Sequence, residues 1–121
     1  MSTRIDLPYP PSVNRYWRRV GNKTLISKEG RAYKARVTTI MQACNIEQME
    51  GHLAVCVALY PPDRRRRDID NTMKALLDAM GNGGAYEDDS QIKKLTIEMH
   101  DRDKEFPRAE VTIEQHETRE G

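Results

Sequence analysis

A chain of 121 residues with 37% hydrophobic and 32% charged residues has material for one modest core and points to a single domain. No stretch approaches the roughly 20 apolar residues of a membrane span, and Met1-Ser2-Thr3-Arg4 opens no apolar signal segment, so a soluble, intracellular protein is expected. The net charge of +1 conceals an asymmetry, because residues 1–74 hold 14 Lys/Arg against 7 Asp/Glu and residues 75–121 hold 6 against 12. A basic half of this kind suits a partner that carries phosphates.

Arg4 to Pro8 reads as a short strand at or near a sheet edge, since Pro8 cannot donate to a ladder. Pro8-Tyr9-Pro10-Pro11-Ser12 then makes a stiff extended connector. Arg15, Arg18, Arg19, Lys23 and Lys28 follow, with Tyr16 and Trp17 among them and a Gly21-Asn22 turn signal, which describes a basic loop or a small ribbon. The aromatics could stack on unpaired bases, and a purely structural role for Trp17 is the equal alternative.

Ser27 is placed to cap a helix running to about Met49, with Tyr33, Val37, Ile40, Met41, Cys44 and Met49 on one face and Gly51 as its end. Leu53–Tyr60 is an unbroken apolar run between Gly51 and Pro61-Pro62, expected as a central strand buried on both faces. A second amphipathic helix begins near Asp68–Asp70, turns Ile69, Met73, Leu76, Leu77 and Met80 inward, and stops at Gly81-Asn82-Gly83-Gly84. Leu95, Ile97 and Met99, then Ala109, Val111 and Ile113, alternate with polar residues and read as an antiparallel pair joined by the charged loop Asp101–Arg108. Residues 116–121 read as a frayed tail. Cys44 and Cys56 are expected as buried, reduced thiols, and the scattered His52, His100 and His116 give no zinc spacing. The sum is one α/β (or α+β) domain over residues 1–121, β-α-β-α-β-β, with a four-stranded mixed sheet and two helices.

The chemistry concentrates in Arg64-Arg65-Arg66-Arg67-Asp68-Ile69-Asp70-Asn71. Four cations suit a polyanion, and carboxylates at i and i+2 suit a hard divalent ion such as Mg²⁺, provided that Asp68 precedes the helix proper. Either aspartate alone would read as an N-cap; two of them beside an arginine run ask for more. Lys74 lies four residues beyond Asp70 on the same helix face, positioned to hold a phosphate or orient water. Asp88-Asp89 could supply a third carboxylate. A helix over 70–80 is roughly 16 Å long, and nine extended residues span about 30 Å, so the return is feasible. It requires the strand near Ile92 to run antiparallel to 53–60, unless Asp89 serves a neighbouring subunit. The competing readings are a non-catalytic DNA-binding protein and a small phosphatase or nucleotide-binding enzyme. No Gly-rich phosphate loop supports the last.

Three segments together, Pro8–Trp17, Pro62–Asn71 and Asp88–Ile92, resemble the RusA-type Holliday junction resolvases, or crossover junction endodeoxyribonucleases, of bacteria and prophages. The resemblance implies a RusA-like fold, a cytoplasmic homodimer that binds four-way junction DNA, paired symmetric nicks with Mg²⁺ (Mn²⁺ substituting), and no small-molecule cofactor. It implies Asp68, Asp70 and Asp89 as metal-binding catalytic acids, Lys74 as a catalytic-site lysine and Asp88 as a secondary acid. Arg64, Arg65, Arg66 and Arg67, with Arg15, Arg18 and Arg19, are the expected DNA contacts, and Arg67 is expected near the scissile phosphate. Gly84-Ala85-Tyr86-Glu87 departs from the more apolar lead-in expected before the acidic pair.

Overall fold

The structure, a computed structural model, describes residues 2–117. Its elements in chain order are β1 (Ser2–Pro8), α1 (Val13–Tyr16), β2 (Trp17–Val20), β3 (Lys23–Ile26), α2 (Lys28–Ala43), β4 (Leu53–Tyr60), α3 (Met73–Asn82), a 3₁₀ turn (Asp89–Gln91), β5 (Ile92–Met99) and β6 (Arg108–Gln115). β1, β6, β4 and β5 form one mixed sheet in that order, and β2–β3 is the small ribbon that the Gly21-Asn22 turn announced. Gly21 sits at φ +61°, a left-handed turn position that costs glycine nothing.

One face of the sheet makes the core. Ile5 and Leu7, Ala109, Val111 and Ile113, and Leu53, Val55, Val57 and Leu59 are all buried there. Against them pack Tyr33, Val37 and Met41 of α2 and Met73, Leu76 and Met80 of α3. Among the described residues the other face carries no helix: Ala54, Ala58 and Tyr60 are half-buried and Cys56 is exposed. β4 is therefore central but buried on one face only. Its outward residues are small or amphipathic, so a strand with one wet face reads as continuously apolar. Cys44 and Cys56 are free and exposed, not buried as their apolar neighbours suggested.

Strand pairing decides one open alternative and departs from one expectation. β5 runs parallel to β4, Leu53 facing Ile92 and Leu59 facing Met99, so β4–α3–β5 is a parallel crossover with the helix on the core face. β5 and β6 are not neighbours; β6 inserts antiparallel between β1 and β4. The 100–107 loop crosses the end of β4, held by His100 N–H on the Leu59 carbonyl and Asp103 N–H on the Pro61 carbonyl, each 2.8 Å.

α2 starts as expected, Ser27 Oγ accepting from Gly30 N–H at 2.9 Å, but ends at Ala43, with Asn45 at φ +54°. Asparagine tolerates that left-handed position and so closes the helix before Gly51. α3 begins at Met73, later than expected, which leaves Ile69 46% exposed rather than in the core. Its end matches expectation, with Gly84 at φ +95° and Ala85 N–H on the Met80 carbonyl at 3.0 Å. Of the expected frayed tail, His116 donates its N–H to His52 at 2.8 Å; residues 118–121 lie outside the described residues.

Gly30 packs α2 against the short α1. A Cβ there would stand 2.5 Å from the Tyr16 carbonyl oxygen and 2.8 Å from Ile26 Cγ1. That carbonyl already accepts Ser27 N–H at 2.9 Å and cannot retreat freely. Gly30→Ala should therefore destabilise the fold by about 1–3 kcal/mol, measured as a lowered urea midpoint with the m-value unchanged.

Candidate active site

Pro61 and Pro62 end β4, and residues 63–72 reach α3 through turns. Asp63 organises the arginine run. Its Oδ1 accepts Arg65 N–H at 2.9 Å and pairs with Arg67 Nη1 at 2.7 Å. Arg67 Nη1 also donates to the Asp63 and Arg65 carbonyls, both at 3.2 Å, and its guanidinium lies 5.7 Å from the centre of the Tyr9 ring. The Arg67 bond, with the Arg65 N–H bond behind it, holds the Asp63 carboxyl below the usual range. Arg67 thus folds back as a strut, while Arg64, Arg65 and Arg66 are exposed.

Asp68 and Asp70 occupy consecutive turns. The Asp68 carbonyl accepts Asn71 N–H and the Asp70 carbonyl accepts Met73 N–H, each at 3.1 Å. Both acids precede the helix, are exposed, and leave the N-cap position to Thr72. Neither is a cap, so that simple explanation for the pair is gone. Asn71 is pinned from outside, its carbonyl accepting Val13 N–H at 2.8 Å; this is how the N-terminal connector fixes the acidic turn. Lys74 stands exposed in the first turn of α3.

Asp88 and Asp89 have separate local roles. Asp88 caps the 3₁₀ turn, accepting Ser90 N–H at 2.9 Å, a bond that holds its carboxyl below the ordinary range. Gln91 completes the box through Asp88 N–H at 3.0 Å and ties it to the Met49 and Gly51 carbonyls at 3.1 and 2.9 Å. Asp89 is exposed. In the lead-in, Ala85 and Tyr86 are each 1% exposed, and the Tyr86 hydroxyl donates to the Leu77 carbonyl.

The parallel crossover decides where Asp89 stands. It precedes Ile92, the partner of Leu53 at the start of β4, whereas Asp68 and Asp70 follow the end of that strand. The eight residues of β4 separate the two ends by roughly 25 Å. Three carboxylates of one chain do not converge, and no group of three His, Cys, Asp or Glu able to hold a metal occurs among the described residues.

A groove of about 1190 Å³ opens beside the acidic turn, walled by the Pro8–Ser12 connector, α2, the 65–67 arginines, Asn71-Thr72 and the 103–108 loop. Arg15 lines it, with Glu29 at 4.0 Å. Arg18 and Arg19 are exposed on the β2–β3 ribbon, outside the groove lining. Tyr16 is fully buried, its hydroxyl donating to the Asp78 carboxylate, so it offers no face to a base. Trp17 is half-buried and meets Tyr16 edge-on at 5.0 Å. Sequence reasoning missed the Asp63–Arg67–Tyr9 clamp. The Asp-x-Arg start of the loop is an Asx-turn signal, but nothing local announces the tyrosine 58 positions upstream.

An exposed pair of carboxylates behind an arginine-lined groove, on a two-layer α+β fold, is the build of a nucleic-acid-directed phosphodiesterase. The chain belongs to the Endodeoxyribonuclease RusA family, whose sequence profile matches residues 8–114. It is 40% identical over 92 residues to the crossover junction endodeoxyribonuclease rusA of Enterobacteria phage HK97, covering 75% of this chain and 77% of that protein. It is 42% identical over 89 residues to the RusA enzyme of Shigella sonnei (strain Ss046), covering 73% and 74%. The protein of the same name from Escherichia coli (strain K12) is 39% identical over 89 residues, with the same coverage.

Proposed function

We propose that this protein is a homodimeric endodeoxyribonuclease that resolves four-way DNA junctions by paired, symmetric, Mg²⁺-dependent nicks in the bacterial or phage-infected cytoplasm. The observation that carries it is the exposed Asp68–Asp70 turn directly behind Arg64–Arg66, in a chain 40% identical to a crossover junction endodeoxyribonuclease. The exposed carboxylates fit Mg²⁺, a hard ion that takes oxygen ligands and keeps several waters, and Mn²⁺ should substitute. Asp68, Asp70 and Asp89 would hold the ion, which when bound supplies Lewis-acid help to phosphodiester hydrolysis. Lys74, exposed in the first turn of α3 and four residues beyond Asp70, is suited to hold the phosphate in line or to position the attacking water. The exposed arginines, with Arg15 at the groove and Arg18 and Arg19 on the ribbon, give the phosphate backbone its counter-charge. No other cofactor is required.

The topology supports a site shared between subunits. Asp89 stands at the far end of β4 from Asp68 and Asp70, so a second copy offers the route by which it completes a site. A two-fold dimer then carries two equivalent sites, matching the near two-fold symmetry of a junction.

The protein should nick a synthetic four-way junction in Mg²⁺, spare a linear duplex of the same sequence, and bind without cutting in EDTA. Salt-sensitive binding with no scission in Mg²⁺ would instead identify a non-catalytic DNA-binding protein.

A further inference from the structure

Phe106, the only phenylalanine of the chain, is 70% exposed at the rim of the arginine groove. A single apolar residue in water is ordinary on any protein surface; a fixed one beside a cationic groove is not. The Asp103 carboxylate builds the loop: Oδ1 accepts the N–H groups of Glu105 at 3.2 Å and Phe106 at 3.0 Å, and Oδ2 pairs with Arg108 Nη1 at 2.7 Å. Arg108 Nη1 also donates to the Phe106 carbonyl at 3.0 Å, closing a ring around the backbone. Arg108 is itself fixed by Glu110 at 2.9 Å and lies 4.0 Å above the Tyr60 ring. Pro107 restricts Phe106 to extended backbone. Both the N–H and the carbonyl of Phe106 are bonded within the loop, and its ring is left in solvent.

The same groove contains Arg65, Arg66 and Asn71, the last adjoining Asp70. A rigid aromatic beside phosphate-binding cations is the arrangement that stacks on unpaired bases, and intact duplex offers no free base face. We infer that Phe106 is a stacking platform for an unstacked base at the branch point, the residue that lets the arginine groove tell branched DNA from linear duplex. The inference rests on the proposed junction-directed activity and adds the feature that recognises the branch.

The test compares wild type, Phe106→Ala and Phe106→Trp in EDTA, on a four-way junction with 2-aminopurine at the crossover and on a linear duplex. Because the ring is exposed, neither substitution disturbs the core. Phe106→Ala should lose about tenfold in junction affinity, the scale of one base stacked on an aromatic side chain, with duplex affinity unchanged. The 2-aminopurine fluorescence change seen with wild type should disappear, and Phe106→Trp should restore both. Wild-type junction affinity and fluorescence in Phe106→Ala, or an equal loss on junction and duplex, overturns the stacking role. If the wild type nicks junctions in Mg²⁺ while either of those results holds, the nuclease reading stands and only this inference falls. If wild type neither prefers nor nicks junctions, both fall.

Discussion

Asp70→Asn should bind a four-way junction at least as tightly as wild type and leave it uncut. The substitution removes one negative charge from a surface proposed to face phosphates, so affinity is held or rises. It also removes a carboxylate from the turn proposed to ligate Mg²⁺. Altered outer-sphere partners of metal ligands cost about 10–100-fold in activity, so loss of a direct ligand should exceed about 100-fold. The side chain is exposed and caps nothing, which keeps the fold out of the result. Single-turnover cleavage of a labelled junction in Mg²⁺, beside a gel-shift titration in EDTA, gives both numbers. Cutting at the wild-type rate would remove Asp70 from the site.

The second large effect concerns the division of the site between subunits. Asp70→Asn and Asp89→Asn homodimers should each be inactive. Refolded together, they should regain single-strand nicking. In the mixed dimer one shared site carries both substitutions, while the other joins an intact Asp68–Asp70 turn to an intact Asp89. If all three acids acted within one chain, every site in the mixed dimer would lack one of them and mixing would restore nothing. The test is sharp because the two arrangements predict activity and none. It follows from one structural fact, the parallel pairing of β4 and β5.

Much of the site was legible in the sequence because its signals are local. Asp68 had to precede the helix for the two carboxylates to share a face, and it does; Asp70, read as part of the helix with Lys74, precedes it as well. Ser27 accepts the N–H of Gly30 in the capping geometry its position announced. Of the loop and the ribbon left open around Gly21-Asn22 the ribbon formed, and the glycine-rich end of α3 formed as read. What misled was also physical. Asn45, not Gly51, ends α2, because apolar residues at helical spacing continue past the true stop and Met49 reaches the core from a loop. Nothing in the local sequence signals that Asp63 and Tyr9 hold Arg67 in place. Phe106 drew no notice inside a charged loop, since its fixed posture depends on Asp103 and Arg108 across that loop.

By itself the sequence determined the two long helices and the four strands of the sheet, the acidic turn at a helix entrance, the basic character of its approach and the family to which the chain belongs. These follow from caps, turn residues, periodicity and short motifs, each acting over a few residues. Tertiary structure alone decided that β6 inserts between β1 and β4, that β5 lies parallel to β4, and that Asp89 therefore stands at the opposite end of the sheet from Asp68 and Asp70. Strand direction and order minimise exposed apolar surface and unpaired backbone over the whole chain at once. Strands β5 and β6 carry the same alternation whichever neighbour they take, so no local pattern encodes that choice.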